Sequence, residues 1–491
     1  MENNMKPLAL IIALLAANVS QTHAAVSVTE FGARGDGVAD DTHAIQAALD
    51  TGKNIVIPEG TFRITNALRP KANQVIELVG TVRVTDSNIQ RLTADAAAGQ
   101  PSVTVANASG YYPGQWVTLG AEDLKIQGGG KNKVRREGGD CGRIASIAGN
   151  TITLDLPLRR AYTVAARARL GTQPSAFLIT QPGVRIHGTG VIDGNKAKQF
   201  DFAPADMTPS KGRGEDTRAG CGISIDSNGP DPIAHLRVAG ITIRDCILHN
   251  LSLYRVRHTL ISRVTCIGAH DKNILLRGSE DCQLIANQCM DSDFEDGIIL
   301  YSGNNHCVVQ GNICVRNARL GICVNAFQTG ILLSGNICRD NPANLSLRGD
   351  HCSSTGDFCA GKGGVRIEGR GNQVNGLVSL NSVTISATDL NYTGGIISGP
   401  PDEPLQIGME VFRNTNDPRT ALVDGVRVRG VTIKNCRTAV NVKGVVKDVR
   451  FIENRITALR EPFHIALECK EHVTLERNET TTTNAKEGKA K

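Results

Sequence analysis

A right-handed parallel β-helix, an all-β solenoid, is the architecture this sequence predicts, and three observations point to it. Cysteines at 246, 266, 289, 314 and 338 recur at steps of 20, 23, 25 and 24 residues. Each is followed by a polar turn and then a short apolar segment: Leu251–Tyr254, Ile274–Leu276, Ile298–Tyr301 and Ile322–Val324. No helical phase runs through these repeats, and the 52 glycines suit many tight turns. A strand-and-turn period of this length marks a solenoid. Its coils stack about 4.8 Å apart, so like positions form columns.

The 491-residue chain opens with Lys6, the apolar run Leu8–Ala17 and the small residues Ala24 and Ala25. This pattern predicts a signal peptide over 1–24, too short to span a bilayer, and so a secreted or periplasmic protein. No later apolar run reaches about 18 residues, so no membrane anchor is expected. Residues 25–91 should form a cap and the first coils. Asp40 or Asp41 can N-cap a short helix that places Ile45, Ala48 and Leu49 on one face. Such a helix would cover the open end of the first coil. Residues 92–162 break the rhythm with alternating strands and Gly/Asn turns, which predicts an inserted β module. The solenoid should occupy 163–478, with long loops near 201–220, 349–363 and 389–424, and 479–491 should be a disordered tail.

The formal charge of +6 permits a polyanionic partner without requiring one. Basic helices, zinc-ligand pairs and aromatic stacking motifs are absent from the sequence, so nucleic acid is not an expected partner. Arg159, Arg160, Arg167 and Arg169 lie in a stretch without acids. Either a solvated rim or a polyanion contact accounts for them. Fourteen cysteines in an exported chain suggest disulfides. The regular spacing of five of them instead suggests an inward stack of small apolar side chains. Cys352 and Cys359, in a Gly-rich segment, are the better disulfide candidates.

Aligning the coils on their cysteines brings the chemistry together. The successive turns carry His249-Asn250, then His270-Asp271-Lys272-Asn273, then Asp291 to Asp296, then Asn317-Ala318-Arg319-Leu320. Asp271 therefore falls about one coil from Glu295 and Asp296, and Arg319 one coil beyond. Stacked carboxylates repel, so one should keep its proton to higher pH. A protonated and an ionised carboxyl flanking a bond are what glycoside hydrolysis requires. The cationic residues suit proton abstraction beside a uronate carboxyl instead, with Lys272, Arg277, Arg319, His270 and Tyr301 supplying the set. No cofactor or metal is expected for hydrolysis. In a lyase, Asp291, Asp293, Glu295 and Asp296 are plausible Ca²⁺ ligands. His249, His258 and His306 read as lone surface histidines, and Asn287, Asn312, Asn336 and Asn454 as a turn-stabilising column.

The segment Phe31–Thr42 (FGARGDGVADDT), with IVIPEGTFRI behind it, resembles the N-terminus of a large β-helix superfamily. Polygalacturonases, pectate-lyase-like proteins, alginate epimerases and phage tailspikes belong to it. The resemblance implies the fold and a module beside the substrate groove, but not one activity. VRIHGTGVIDGN (184–195) and Glu295-Asp296 followed by Gly-Ile-Ile-Leu resemble polygalacturonases in particular. That resemblance implies Asp296 as general acid or base, Asp271 as its partner and Glu295 as a third carboxylate. Where that family has Gly-His-Gly, this chain has Arg319-Leu320-Gly321. Its Arg-Ile-Lys is absent, and Arg348 is a loose stand-in. The alginate-epimerase motif Tyr-Gly-x-Asp-Pro-His is also absent. Together these imply an exported enzyme hydrolysing an acidic polysaccharide, with a lyase or epimerase and a non-catalytic carbohydrate-binding protein as the alternatives. Activity on a panel of acidic polysaccharides separates the three.

Overall fold

The computed structural model describes residues 25–121, 126–128, 134–136, 140–199, 220–226, 231–400, 402–414 and 422–483. The expected signal peptide, nearly all of the 201–220 loop and the end of the tail lie outside these residues.

The chain is a right-handed parallel β-helix. Short strands pair in parallel with their counterparts one coil away, and alternation within each strand sends every second side chain inward. Ile223, Leu251, Ile274, Ile298 and Ile322 are successive partners in one column. Ile225, Leu253, Leu276, Leu300 and Val324 form the next column, and all ten side chains are buried. Burial of each such side chain stabilises the fold by roughly 1.5–3 kcal/mol. Every coil therefore adds to one continuous core.

The N-terminal helix spans Thr42–Asp50 and buries Ile45, Ala48 and Leu49 against the first coils. The two aspartates before it divide the work. Asp40 accepts from the Thr42 backbone N–H at 3.0 Å, whereas Asp41 turns back to the N–H groups of Arg34 and Gly35. Gly35 has a positive φ of 63°, and a Cβ there would lie 2.7 Å from the Phe62 ring. This explains the glycine in the FGARGDG stretch.

Between Ile89 and Thr172 the chain leaves the stack to form a six-stranded antiparallel sheet. Its own core includes Val103, Val117, Leu119, Ile152, Tyr162 and Leu170. The module is wider than the expected 92–162 because Ile89–Arg91 and Arg169–Thr172 pair with each other and join its sheet through Trp116–Gly120. Arg159 is held by buried Asp140 at 2.7 Å, and Arg160 lies over the Tyr162 ring. Both are thus tied into the module.

The cysteine column differs from expectation at both ends. Cys266, Cys289, Cys314, Cys338 and Cys359 are direct partners. Cys266 pairs backward with Ile243, so Cys246, three residues on, stands outside the column. Cys352 and Cys359 do not bridge. Cys359 belongs to this column, while Cys352 flanks the neighbouring strand Ser353–Thr355, and both are buried free thiols. The residues expected as a loop at 349–363 form the strands Ser353–Thr355 and Phe358–Ala360. Likewise Asn391–Thr393, Ile396–Ser398 and Leu405–Phe412 are strands within 389–424, and Glu479–Thr482 is a strand in the expected tail. Several inward positions hold small polar residues such as the buried Ser354, so these strands lack the apolar alternation that marks the others and read as loop.

Asparagines run along the axis in hydrogen-bonded files. Asn287 donates to Asn312, Asn312 to Asn336 and Asn336 to Asp357, at 2.8–3.0 Å. Each amide also accepts a backbone N–H and donates to a backbone carbonyl of the coil before it. Asn454 sits in a separate file with Asn478. Replacing Asn312 with alanine strands buried donors and acceptors on both neighbouring coils. An expected loss of about 1–3 kcal/mol is read from the urea midpoint, with the denaturant slope unchanged.

Candidate active site on the outer face of one sheet

The strands Ile223–Asp226, Leu251–Tyr254, Ile274–Arg277, Ile298–Tyr301, Leu320–Val324 and Ala343–Leu347 line up along one side of the coil. Their outward residues form a strip that includes Leu275, Ile299 and Cys323, a small apolar cluster buried although it faces away from the core. Charged turns flank the strip where the strands begin. An aromatic and cationic file flanks it where they end.

Backbone hydrogen bonds set the register of the turns. Glu295 N–H donates to the Asp271 carbonyl, and Arg319 N–H to the Glu295 carbonyl. Asp271, Glu295 and Arg319 therefore form one column, with Lys272 and Asp296 in the next. Asp271 is buried, with the Lys272 ammonium at 2.9 Å and His249 Nδ1 at 3.6 Å. Asp296 is fully buried. Arg319 holds both of its oxygens, at 2.8 and 2.5 Å, and the Leu320 N–H donates to it at 3.1 Å. Glu295 lies 2.8 Å from the same Arg319 Nη2.

The expected repulsion between stacked acids is thus largely replaced by alternation of sign. Burial still pushes the Glu295 carboxyl above the usual glutamate range, against the pull of Lys272 and Arg319 and with help from Asp296 and Asp271. Arg319 is held protonated despite its own burial by Asp296 and Glu295. Asp296, expected as the acid or base, has its oxygens committed to Arg319 and Leu320 and acts as an anchor.

A second asparagine file supports these turns from inside. Asn250 donates to Asn273, Asn273 to Asn317 and Asn317 to Asn341, at 2.7–3.1 Å. Gly297 makes room for it: a Cβ there would lie 2.7 Å from Asn317 Nδ2 and from the Gly321 carbonyl. This file was missed from sequence because its members shift between strand start and turn. Only a register from coordinates shows them to be neighbours. His249, read as a surface residue, is buried beside Asp271 and belongs to the site.

Two of the expected residues sit elsewhere. His270 turns to Asp293 at 3.5 Å, and Lys196 reaches the same carboxylate at 2.7 Å. Asp291 is paired with Arg316. The four acids of the Asp291–Asp296 turn therefore answer three separate sets of cations and do not converge as Ca²⁺ ligands. Among the described residues no group of three or more His, Cys, Asp or Glu is arranged to hold a metal.

On the other flank Arg277 lies between two tyrosines. Its guanidinium is 5.3 Å from the Tyr254 ring and 5.5 Å from the Tyr301 ring. These three residues are register partners. Arg348, farther along that flank, is held by buried Glu368 at 2.7 Å and by Asn325. It is part of the wall.

Asp296→Asn is expected to lose about 1.5–3 kcal/mol of stability by breaking the charged hydrogen bonds to Arg319, read as a lower denaturant midpoint. An unchanged midpoint would contradict the anchoring role.

Among the described residues no helix is long and apolar enough to cross a membrane. Residues 25–122 match a family model described as rhamnogalacturonase A/epimerase, pectate lyase-like. The pre-neck appendage protein of Bacillus phage phi29 is 38% identical over 55 residues, 11% of this chain and 6% of that protein. The mannuronan C5-epimerase AlgE1 of Azotobacter vinelandii is 27% identical over 111 residues, 22% of this chain and 8% of that enzyme. The chain thus aligns with less than a tenth of either relative's length. Among solved structures, the A-module of the Azotobacter vinelandii mannuronan C-5 epimerase AlgE6 superposes with a TM-score of 0.53 at 13% identity, covering 93% of this chain and 100% of that one. The N-terminal match and this shared architecture agree with the register of the coils: residues 25–122 resemble a pectate-lyase-like family, and the chain shares the parallel β-helix fold.

Proposed function

We propose that this protein is an exported enzyme that cleaves glycosidic bonds of an acidic polysaccharide laid along the strip between the charged turns and the Tyr254–Arg277–Tyr301 file, which we call the groove. Glu295 acts as general acid and Asp271 as its ionised partner. One observation carries this reading: two carboxyls stand on successive turns of one column in unequal surroundings. Glu295 is raised by burial, and Asp271 is paired with Lys272. Environments that drive two carboxyls apart are how an acid and a base are assigned in one site. Glu295 gives its proton to the leaving oxygen, and Asp271 stabilises the positive charge that develops or activates the attacking water. Arg319 and Lys272 flank Glu295 and suit a uronate carboxylate. Arg277, between two tyrosine rings, offers a cation beside an aromatic platform to a neighbouring sugar.

Proton abstraction at C5 of a uronate, by lyase or epimerase chemistry, is the second reading. It is favoured by the cations on both sides of Glu295 and by the similarity to mannuronan C5-epimerases. In that case Glu295 neutralises the substrate carboxyl. A panel of pectic, alginate and capsular polysaccharides separates the readings. Hydrolysis releases reducing ends without ultraviolet absorbance, elimination adds that absorbance, and epimerisation changes the uronate ratio by NMR. No change on any polymer would sink both.

For hydrolysis, Glu295→Gln should lower turnover by about 10²–10⁴-fold with an unchanged circular dichroism spectrum. Because Glu295 must be protonated and its value lies above the ordinary 4.5, turnover should fall as pH rises through that raised value. The residual activity of Glu295→Gln should lack this limb. Arg277→Ala should raise KM several-fold on acidic polymers, with a smaller effect on kcat.

A further inference from the structure

A second sheet of the coil, formed by the strands Val75–Leu78, Arg185–Gly188, Arg237–Ala239 and Leu260–Ser262, carries a cavity of about 920 Å³ on its outer face. Lys53, Arg185, Arg237, Arg263 and His187 line it, and Glu77 is its only carboxylate. These six side chains are exposed. None of the four Lys and Arg residues has an ion-pair partner among the described residues. Arg185 and Arg237 are direct register partners, so two like charges stand one coil apart, about 4.8 Å at the backbone. Like charges placed directly opposite in a sheet are destabilising.

Farther along this column the chain shows what an internally satisfied version looks like. Arg427 and Arg450 are also register partners. There Asp448 bridges the two, at 3.4 Å from Arg427 and 2.7 Å from Arg450. Elsewhere on the surface, Arg244, Arg316, Arg429 and Arg455 each meet a carboxylate from an adjacent coil. Among the described residues the Arg185–Arg237 pair has no such acid, and it lines an open cavity.

We propose that this cavity is an anion site, separate from the groove, that holds a strand of acidic polysaccharide along the coil axis. A polyanion running in that direction meets Arg185, Arg237 and Arg263 on three successive coils, and its anionic groups supply the bridge that Asp448 supplies elsewhere. The site would retain polymer while the groove works on another stretch of it. The class of occupant rests on the polysaccharide reading above, whereas the anion preference rests on the cavity alone.

The test is affinity electrophoresis of the whole protein through gels cast with polygalacturonate, alginate, a sulfated polysaccharide or neutral dextran. Uncharged dextran should not retard it. One or more of the acidic gels should, and comparison of uronate with sulfated gels identifies the anionic group. Arg185→Glu/Arg237→Glu should weaken that retardation about tenfold, and added salt should do the same. Lys53→Glu should act in the same direction from a third position. Turnover of a short oligosaccharide that fits the groove alone should be unchanged in both variants. Glu295→Gln should bind the gel as the parent does, so loss of catalysis and loss of this site are read separately. Retardation that survives both cavity variants overturns the proposal. So does equal retardation by double-stranded DNA, which would show charge attraction without saccharide preference.

Discussion

Parallel stacking at one coil per step is the constraint on which the rest of this structure depends. Each side chain has its counterparts of the previous and the next coil as nearest neighbours, so a residue's environment is set mainly by its column. Apolar columns make a core without further conditions. A polar residue inside the coil must instead find its partner along the axis, because no water reaches it. Asparagine answers this well: its amide donates to one neighbour and accepts from the other, as Asn287, Asn312 and Asn336 do. The same requirement applied to ionised groups gives alternation of sign, as in the sequence Asp271, Lys272, Glu295, Arg319 and Asp296.

The candidate site is therefore an outgrowth of internal packing. The Asn250–Asn273–Asn317–Asn341 file fixes the turns that carry Asp271, Lys272 and Arg319, and Gly297 and Gly321 leave room for it. Reactive groups held by locked neighbours suit chemistry that requires fixed distances. Arg319 shows the division of labour. It is anchored by Asp296 on the inner side and reaches Glu295 on the outer side, so one buried carboxylate orients the cation that another must share.

Much of this was legible before any coordinates. The parallel coil, the likeness of the N-terminal segment to pectate-lyase-like proteins, the helix that buries Ile45, Ala48 and Leu49, and the placement of Asp271, Glu295 and Arg319 in one column follow from the repeat and the N-terminal motif. What was not legible has one physical source. Linear spacing gives the coil length to within a few residues, but side-chain partners change with a shift of one. Cys246 was placed in a column it misses by three residues, and Cys352 and Cys359 were joined although they belong to different positions of the coil. His249 and the second asparagine file escaped notice because a turn residue carries no periodic mark. Strands whose inward residue is polar, such as Ser353–Thr355 with buried Ser354, carry no apolar alternation to separate them from loop.

The same constraint explains why the two charged regions should behave differently. In the groove each carboxylate has a cation of its own column or the next, so the net field is small and the local environment decides which group holds a proton. Burial raises the Glu295 carboxyl against the pull of Lys272 and Arg319, while Asp296 on the same turn is fixed by Arg319 and the Leu320 N–H. On the second face the cations lack such compensation, so the field is directional and no proton need be placed. An arrangement that cancels charge suits bond chemistry, and one that leaves it uncancelled suits capture. A chain that grows one coil at a time can carry both, because a change in one column leaves the others in register.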